Sequence, residues 1–410
     1  MALQNISQND FALHVQKAEQ KSFMQTLEMA KLLSKRGFTL NYIAWLENGT
    51  IEISAILYSM PMTGSRYFEI NCGPVVTRDK HLTDFYRELK DYVKEKGALE
   101  LVIKPYDTYQ TFDGDGQATS AEKKELISQF TNLGYHFDGL QRDYPNGEPD
   151  WHYVKDLSDI SEQTLLKSFS KKGRPLVKKA KTFGTKLRRL NRDELNLFKE
   201  ITSATSDRRE YSDKSLDYYQ DFYDSFGDNA EFMIASLNFE NYLSHLQRDQ
   251  NKLGNKIAKL QADLEKNPHS EKKQNQLREL SSQFDTFTTR QEEAQKFITK
   301  YGKKDVNLAG SLFVYTPQEA VYLFSGSYPE FNKFYAPALL QEHVMLEALK
   351  RGIPFYNLLG ITGHFDNSDG VLRFKQNFNG YIVRKMGTFH YYPNPLKYRL
   401  LNTIKKILRR

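Results

Sequence analysis

The strongest constraint on the fold of this chain is a long helical pattern in residues 238–302. Apolar residues recur there at steps of three, four and seven, the spacing of a coiled-coil seam, and Asn267-Pro268 interrupts the run near its middle. The seam positions are Leu243, Leu246, Leu253, Ile257, Leu260, Leu264, Leu277, Leu280, Phe284, Phe287, Ala294 and Ile298. A strand-like pattern resumes directly after this run, so we expect an antiparallel helical hairpin that projects from a domain. The alternative is a pair of packing helices within a bundle.

Short helices and strands alternate on both sides of this hairpin. The segment YIAWLENGTIEISAILYSMP indicates two strands joined by a turn at Asn48-Gly49, and LELVIKP indicates a further strand. A similar alternation returns after residue 150 without a clear sequence repeat, and the pattern as a whole predicts an α/β (α+β) fold. The expected units are a first domain at 1–150, a second domain at 151–237 and 303–410, and the hairpin at 238–302.

Length, cysteine content and hydropathy narrow the class of protein. A chain of 410 residues exceeds one ordinary core, so two or three domains are expected. Cys72 is the only cysteine, which favours a reducing compartment. The first residues, MALQNISQNDFALHV, lack the pattern of a signal peptide, and no run of about 18 apolar residues occurs. We expect a cytoplasmic protein, either free or held peripherally at a membrane.

Positive charge is concentrated in two segments. The net charge is +7, yet residues 167–192 hold 11 Lys and Arg without one acidic residue, and the tail 397–410 holds six without one. A solvated helix face usually mixes signs, so the first segment favours a polyanionic partner over an ordinary exposed face. The rest of the chain is net acidic.

Several common chemistries lack their sequence signatures. The nine histidines show no HxxxH spacing and no CxxC pair exists, so no metal site is expected. No GxxxxGK[ST], strand-flanked GxGxxG or GxSxG motif is present, which argues against nucleotide hydrolysis, a dinucleotide cofactor and a serine-hydrolase elbow. We therefore expect no cofactor.

One unusual stretch near the C-terminus is GVLRFKQNFNG, in which Lys375 stands between Phe374 and Phe378. A surface turn rarely contains two such aromatic residues, and a buried strand rarely places a lysine among them. From the residues alone, a lysine that extends over core aromatics and a functional ammonium are equally good interpretations.

Five segments together resemble a known family. They are FMQTLEMAK, INCGPVV, DRREYSDKSLDYY, GSYPEFNKFYAPALLQ and RFKQNFNG, and they occur in the family's order with the helical hairpin before the fourth. Over nearly the whole chain the sequence resembles the FemABX family of aminoacyl-tRNA-dependent peptidyltransferases, and it is closest to the streptococcal-type MurM/MurN branch. The resemblance implies two acyl-CoA N-acyltransferase-like (GNAT-like) subdomains with a coiled-coil arm. It also implies an enzyme that transfers an aminoacyl group from charged tRNA to an amine of a peptidoglycan precursor.

The resemblance assigns roles to individual residues. Lys375, after Phe374, occupies the family's Phe-Lys motif at the aminoacyl-tRNA end. There it is expected to bind the tRNA terminus or to stabilise the oxyanion. Lys31, Arg208 and Tyr335 match residues that bind the acidic muropeptide. Taken singly, a helix-surface lysine, an ion-paired arginine and a core tyrosine are equally good interpretations. Within the basic segment, the lysines expected to bind tRNA are Lys178, Lys179 and Lys181.

Two positions depart from the family pattern. Cys72 stands where many members have an arginine, and Lys104 stands where some members carry an acidic residue once proposed as a general base. We therefore expect no carboxylate base at the position of Lys104.

Two other functions remain open at this point. One is an acyl-CoA-dependent N-acyltransferase, although its phosphate-binding loop has no convincing copy here. The other is a non-enzymatic RNA-binding module with a coiled coil. For the favoured function we expect alanine as cargo, with serine or glycine as alternatives. The expected acceptor is the stem-peptide lysine amine or the first bridge residue of lipid II or of a related muropeptide precursor.

The basic tail also has an apolar face. Asn394 and Pro395 predict the start of a helix. Its apolar residues are Leu400, Leu401, Ile404, Ile407 and Leu408, flanked by Lys405, Lys406, Arg409 and Arg410. Such a helix either docks on the second domain or rests on an anionic membrane surface.

Overall fold

The structure is a computed structural model that describes residues 2–408, apart from the side chains of Asn146, Asn402, Lys405, Lys406 and Leu408. Arg409 and Arg410, which belong to the predicted tail helix, lie outside the described residues. The first elements are β1 (Ala2–Asn5), α1 (Gln8–Val15), α2 (Leu27–Lys35), β2 (Thr39–Glu47), β3 (Thr50–Met62), β4 (Ser65–Asn71), β5 (Val75–Val76), α3 (Leu82–Glu95), β6 (Ala98–Lys104), β7 (Thr108–Phe112), α4 (Lys124–Thr131) and β8 (His136–Phe137).

The remaining elements follow in a second series of helices and strands. They are β9 (Trp151–Asp156), α5 (Leu165–Ser168), α6 (Gly173–Thr182), β10 (Lys186–Arg189), α7 (Leu195–Arg209), α8 (Leu216–Phe226), β11 (Ala230–Asn238), α9 (Phe239–Lys266), α10 (Glu271–Tyr301), β12 (Asp305–Tyr315), β13 (Glu319–Ser327), α11 (Ala336–Lys350), β14 (Phe355–Ile361), α12 (Gly370–Lys375), β15 (Tyr381–Lys385), β16 (Phe389–Tyr391) and α13 (Pro395–Leu408). None of these helices is long and apolar enough to cross a membrane.

The strands form two mixed sheets. The first has the order β1-β2-β3-β4-β6-β16-β8, with β5 paired to β3, and the second has the order β10-β11-β12-β13-β14-β9-β15-β7. The predicted α/β class is therefore confirmed. Two strands cross the boundary that we expect at residue 150: β7 joins the second sheet and β16 joins the first. The division into 1–150, 151–237 with 303–410, and 238–302 stays a prediction.

The two sheets differ at their parallel strand pairs. In the first sheet, β4 and β6 are paired from Arg66–Ala98 to Asn71–Lys104. In the second sheet, β13 and β14 are paired only from Glu319–Phe355 to Val321–Asn357. Both strands continue beyond that point, so they diverge and leave an opening between them. Sites in open α/β sheets commonly form where neighbouring strands separate in this way.

The predicted helical hairpin is present as α9 and α10. Leu253 and Leu260 are buried along its seam, and Gln250 donates a hydrogen bond of 2.8 Å to Thr288 across it. At the base, Phe239 stacks on Phe297 with ring centroids 4.5 Å apart, next to the core of the second sheet. The hairpin therefore has its own seam and an aromatic base that belongs to the main core.

Candidate functional site

Lys375 lies beside the opening between β13 and β14. It ends α12, whose start is capped by Asp369, because that carboxylate accepts hydrogen bonds from the N–H groups of Val371 at 2.7 Å and Leu372 at 3.1 Å. The Lys375 side chain runs inward and is 3% exposed. Its Nζ donates to the carbonyl oxygens of Leu359 at 3.0 Å and Gly360 at 2.5 Å, both on β14.

Burial changes the chemistry of this lysine. It lowers the pKa of Lys375 to about 7, and the Asp369 carboxylate opposes that shift. The amine therefore titrates near neutral pH, whereas an exposed lysine stays protonated there. The carbonyl groups of Leu359 and Gly360 take two of the three N–H donors of the protonated amine, and the third remains for a ligand. The side chain is therefore held as a fixed charge beside the opening.

The aromatic residues around Lys375 have different environments. Phe378 is fully buried, and Phe169 packs against it edge to face at 5.3 Å. Phe374 is only partly buried and meets Phe378 at 5.3 Å. Phe378 therefore anchors the segment, whereas Phe374 retains an accessible surface that can contact a ligand.

The basic segment begins directly on this loop. The N–H of Ser170 donates to the carbonyl of Asn377 at 3.1 Å, and the side chain of Asn379 donates to the carbonyl of Ser168 at 3.3 Å. A Cβ atom at Gly173, the first residue of α6, would lie 2.0 Å from the Asn377 oxygen. Only glycine allows α6 to start this close, so the helix and the Lys375 loop form one unit.

The lysines of α6 have unequal surroundings. Lys178 is exposed, and the Nζ of Lys179 lies 5.8 Å from the centre of the Tyr335 ring. Lys181 instead forms an ion pair of 2.7 Å with Glu342, a nearly buried residue of α11. This pair offsets the charge of Lys181, so Lys178 and Lys179 present more net positive charge to a polyanion.

Two further predicted residues make other contacts. Arg208, near the end of α7, donates to the carbonyl of Ser327 at 3.3 Å. Lys31 donates to the carbonyl of Asp224 at 2.9 Å and lines a surface cleft of about 580 Å³. The residues that line this cleft do not include Arg208, Tyr335 or Lys375. The structure therefore joins α6, Tyr335 and the Lys375 loop, and it does not place Lys31 in a common pocket with them.

Lys104 is paired with two carboxylates. Its Nζ lies 3.1 Å from Glu69 and 2.7 Å from Glu148. The loop that carries Glu148 also reaches the site, because Pro149 packs against Gly360, leaving no room for a Cβ there. Both carboxylates are paired with the Lys104 ammonium, and the expectation that no carboxylate base stands at this position stays a prediction. The sequence did not reveal this pairing, because the partners of Lys104 come from a separate strand and a separate loop.

A buried polar network was not found from the sequence. Tyr106 donates to Glu319 at 2.7 Å, and the side-chain nitrogen of Asn357 donates to the same carboxylate at 3.1 Å. Burial raises the pKa of Glu319, and hydrogen bonds from Tyr106 lower it in part. These residues come from three distant parts of the chain, so no local motif reveals them.

Comparison with known proteins identifies the family. The family model described as the FemAB family matches residues 6–406. The chain is 28% identical over 99% of its length, and over 99% of the relative, to aminoacyltransferase FemA of Staphylococcus aureus strain bovine RF122 / ET3-1. The same identity and coverage apply to FemA of strain N315.

A solved structure has the same fold over the full chain. The crystal structure of FemX superimposes with a TM-score of 0.75 at 21% identity and covers 98% of this chain and 99% of its own. The family resemblance drawn from the motifs is confirmed, whereas the placement in the MurM/MurN branch stays a prediction. The chain belongs to the FemAB family.

Proposed function

We propose that this enzyme transfers an amino acid from aminoacyl-tRNA to an amine of a peptidoglycan precursor. Membership of the FemAB family and relatives named aminoacyltransferase support the reaction class. The main support in this chain is the close packing of the start of α6 against the Lys375 loop. A basic helix that starts on that loop supports the proposal, because a nucleic acid bound along it could extend its acylated end to the opening between β13 and β14.

The proposed reaction is acyl transfer from an ester. The acceptor amine attacks the ester carbonyl, a tetrahedral oxyanion forms, and its collapse yields an amide and releases the 3′ hydroxyl of the tRNA. The ester is already activated, so ATP is not needed at this step. Lys375, held by Leu359 and Gly360, supplies fixed positive charge near the oxyanion when it is protonated. Phe374 offers its accessible face to the terminal adenosine.

We also propose which amine accepts the amino acid and which amino acid is transferred. The acceptor is the stem-peptide lysine amine or the first bridge residue of lipid II or a related muropeptide. Lys31, Arg208 and Tyr335 are its proposed contacts, because a pyrophosphate or carboxylate needs such partners. The proposed cargo is alanine, with serine and glycine as the alternatives. Lys178, Lys179 and Lys181 are the proposed tRNA contacts, in addition to Lys375.

The C-terminal helix supports contact with the cytoplasmic face of the membrane. In α13 the side chains of Leu396, Leu400 and Ile407 are 78%, 62% and 67% exposed, respectively. A docked terminal helix buries such residues, and a helix on a lipid surface inserts them among acyl chains. The tail is rich in Lys and Arg, which suits anionic lipid. Because the proposed acceptor, lipid II, is anchored in the membrane, this contact would bring the enzyme close to its substrate.

An assay with purified components tests the proposal. Protein is mixed with individually charged alanyl-, seryl- or glycyl-tRNA and with lipid II or its mono-aminoacylated form, and the product is identified by mass. Transfer from one tRNA supports the proposal and gives both the cargo and the bridge position. Tight binding of coenzyme A with acyl transfer from acyl-CoA would replace the proposal with the first alternative. RNA binding without any product would replace it with the second.

A further inference from the structure

A cluster of possible metal ligands lies in the first sheet, whereas Lys375 lies on the second. Glu47 ends β2, Glu52 lies near the start of β3, and His81 directly precedes α3. One ligand atom from each of the three lies within 4.8 Å of the others. The Nε2 atom of His81 is 3.2 Å from a carboxylate oxygen of Glu47.

Glu52 is the least accessible carboxylate of this cluster, with 1% of the residue exposed. Its Oε2 atom is buried and has no hydrogen-bond partner among the described residues. Its Oε1 atom has Arg78 at 3.6 Å, but that arginine side chain is 71% exposed. A buried carboxylate with an unpaired oxygen is costly unless a proton or a cation neutralises it. The unpaired oxygen of Glu52 is therefore a candidate ligand for a cation.

His81 is oriented as metal-binding histidines usually are. Its Nδ1 atom lies 3.5 Å from the Asp84 carboxylate, and its ring stacks on Trp45 with centroids 5.7 Å apart. When a cation lies between His81 and Glu47, the Asp84 carboxylate can hold the ring proton on Nδ1 and leave the other nitrogen as a ligand. In His81 that second nitrogen, Nε2, is the one that faces Glu47.

We propose that Glu47, Glu52 and His81 form a binding site for a divalent cation, with Zn²⁺ as the favoured ion. Two carboxylates and an imidazole suit zinc, and water completes a coordination of four. The Lys80 ammonium, 3.1 Å from Glu47, competes with the ion, but its side chain is 69% exposed and can turn into solvent.

Such a site has a structural role. A bound ion ties the β2–β3 hairpin to the loop that leads into α3, and this link does not depend on the proposed transfer reaction. The site has no local sequence signature, because its ligands come from two strands and a later loop. This explains why histidine and cysteine spacing gave no indication of it.

Titration of chelator-treated, dialysed protein with Zn²⁺ tests the site by calorimetry and by the melting temperature. We expect one equivalent to bind and the melting temperature to rise. Glu52→Gln and His81→Ala should each weaken binding at least about tenfold, the loss expected for a removed ligand or close partner. His136→Ala removes a largely exposed histidine from the same sheet and serves as the control, with unchanged binding.

Lys80→Ala is the more discriminating variant, and it tests the zinc site even if Glu52→Gln does not fold. Removal of the competing ammonium should strengthen zinc binding several-fold. If the three residues form only ion pairs and no metal site, Lys80→Ala removes one ion pair and zinc binding does not become stronger. The proposal is overturned if neither the wild type nor Lys80→Ala binds one equivalent of zinc. It is also overturned if Glu52→Gln and His81→Ala bind zinc as tightly as the wild type does.

Discussion

The side-chain oxygen of Asn357 accepts a hydrogen bond of 2.9 Å from the backbone N–H of Leu359. This bond spans the point at which the pairing of β14 with β9 shifts register, and Leu359 there has a φ of 55°. A leucine in the left-handed region is strained and persists only where its surroundings hold it. The carbonyl groups of Leu359 and Gly360 are the acceptors of Lys375, so Asn357 positions that lysine indirectly.

We therefore expect Asn357→Ala to reduce kcat by about tenfold to a hundredfold, because small displacements of a reacting group are costly. The KM for charged tRNA should change little, since α6 is not attached to Asn357. Steady-state kinetics with lipid II measures both values. Asn238→Ala is the control, because it removes a helix cap far from β14. A similar loss of kcat in the control, or a destabilised Asn357 variant with normal kcat, would contradict the positioning role.

Lys375→Met keeps an unbranched side chain of similar length but removes its charge. We expect turnover to fall by about one to three orders of magnitude, as for the loss of an electrostatic donor.

The same variant should also change how the free energy of unfolding depends on pH. The pKa of Lys375 in the folded protein, about 7, lies below the ordinary value of 10.5, so the unfolded chain binds more protons between these values. The contribution of Lys375 to stability is lowest below pH 7 and rises through this window.

Urea unfolding at pH 7 and pH 9 measures this effect. The change in the free energy of unfolding between the two pH values should be more positive in the wild type than in Lys375→Met. An identical pH dependence in both proteins would mean that Lys375 is not buried in solution. Normal turnover in the variant would remove Lys375 from the reaction.

The sequence predicts some parts of this molecule much better than others. The helices of the hairpin follow from a seam that repeats within one segment, and the Lys375 loop follows from a short motif. The exchange of β7 and β16 between the sheets does not follow from sequence, since strand pairing depends on distant partners. The same holds for Asn357 with Glu319, and for Lys104 with Glu148. The family resemblance assigns roles to Lys31 and Arg208 by alignment, but it does not report which backbone carbonyls these side chains contact.

Charge reversal of Lys178 and Lys179 should weaken tRNA binding and reduce its dependence on salt. Each lost phosphate contact lowers the slope of log K against log salt by about 0.7 to 0.9, so the double variant should lose up to about twice that amount. Lys181 is left unchanged, because its reversal would also set two carboxylates together at Glu342. Reversal of two other exposed lysines, Lys94 at the end of α3 and Lys96 just after it, is the matched control. Equal slopes in both double variants would make α6 an ordinary solvated face.

The helical hairpin should tolerate loss of its outer part but not of its base. Gly254 and Phe284 lie next to each other across the seam, so a short glycine-rich linker can replace residues 255–283. We expect this variant to melt cooperatively near the wild-type temperature. Deletion of 240–300 also removes Phe297 and exposes Phe331, which packs against it at 5.7 Å, so it should melt at a clearly lower temperature. Calorimetry compares the two deletions, and equal melting temperatures would show that the base adds nothing to the core.

Truncation after Pro395 tests the membrane role of α13. The exposed apolar residues of this helix should strengthen its binding to an anionic membrane surface. Each basic residue of the tail that lies near the lipid should add about 1 kcal/mol to that binding. We expect the truncated enzyme to bind vesicles with anionic lipid more weakly and to react more slowly with lipid II, while a soluble muropeptide reacts at the wild-type rate. Vesicles of neutral lipid are the control, and the difference between the two proteins should shrink there. The structure places the start of α13 against the first sheet, where Lys397 donates to the carbonyl of Gly64, and not against the second domain, where one interpretation of the sequence places it. A helix that serves only to stabilise this sheet would slow both substrates equally and lower the melting temperature when removed.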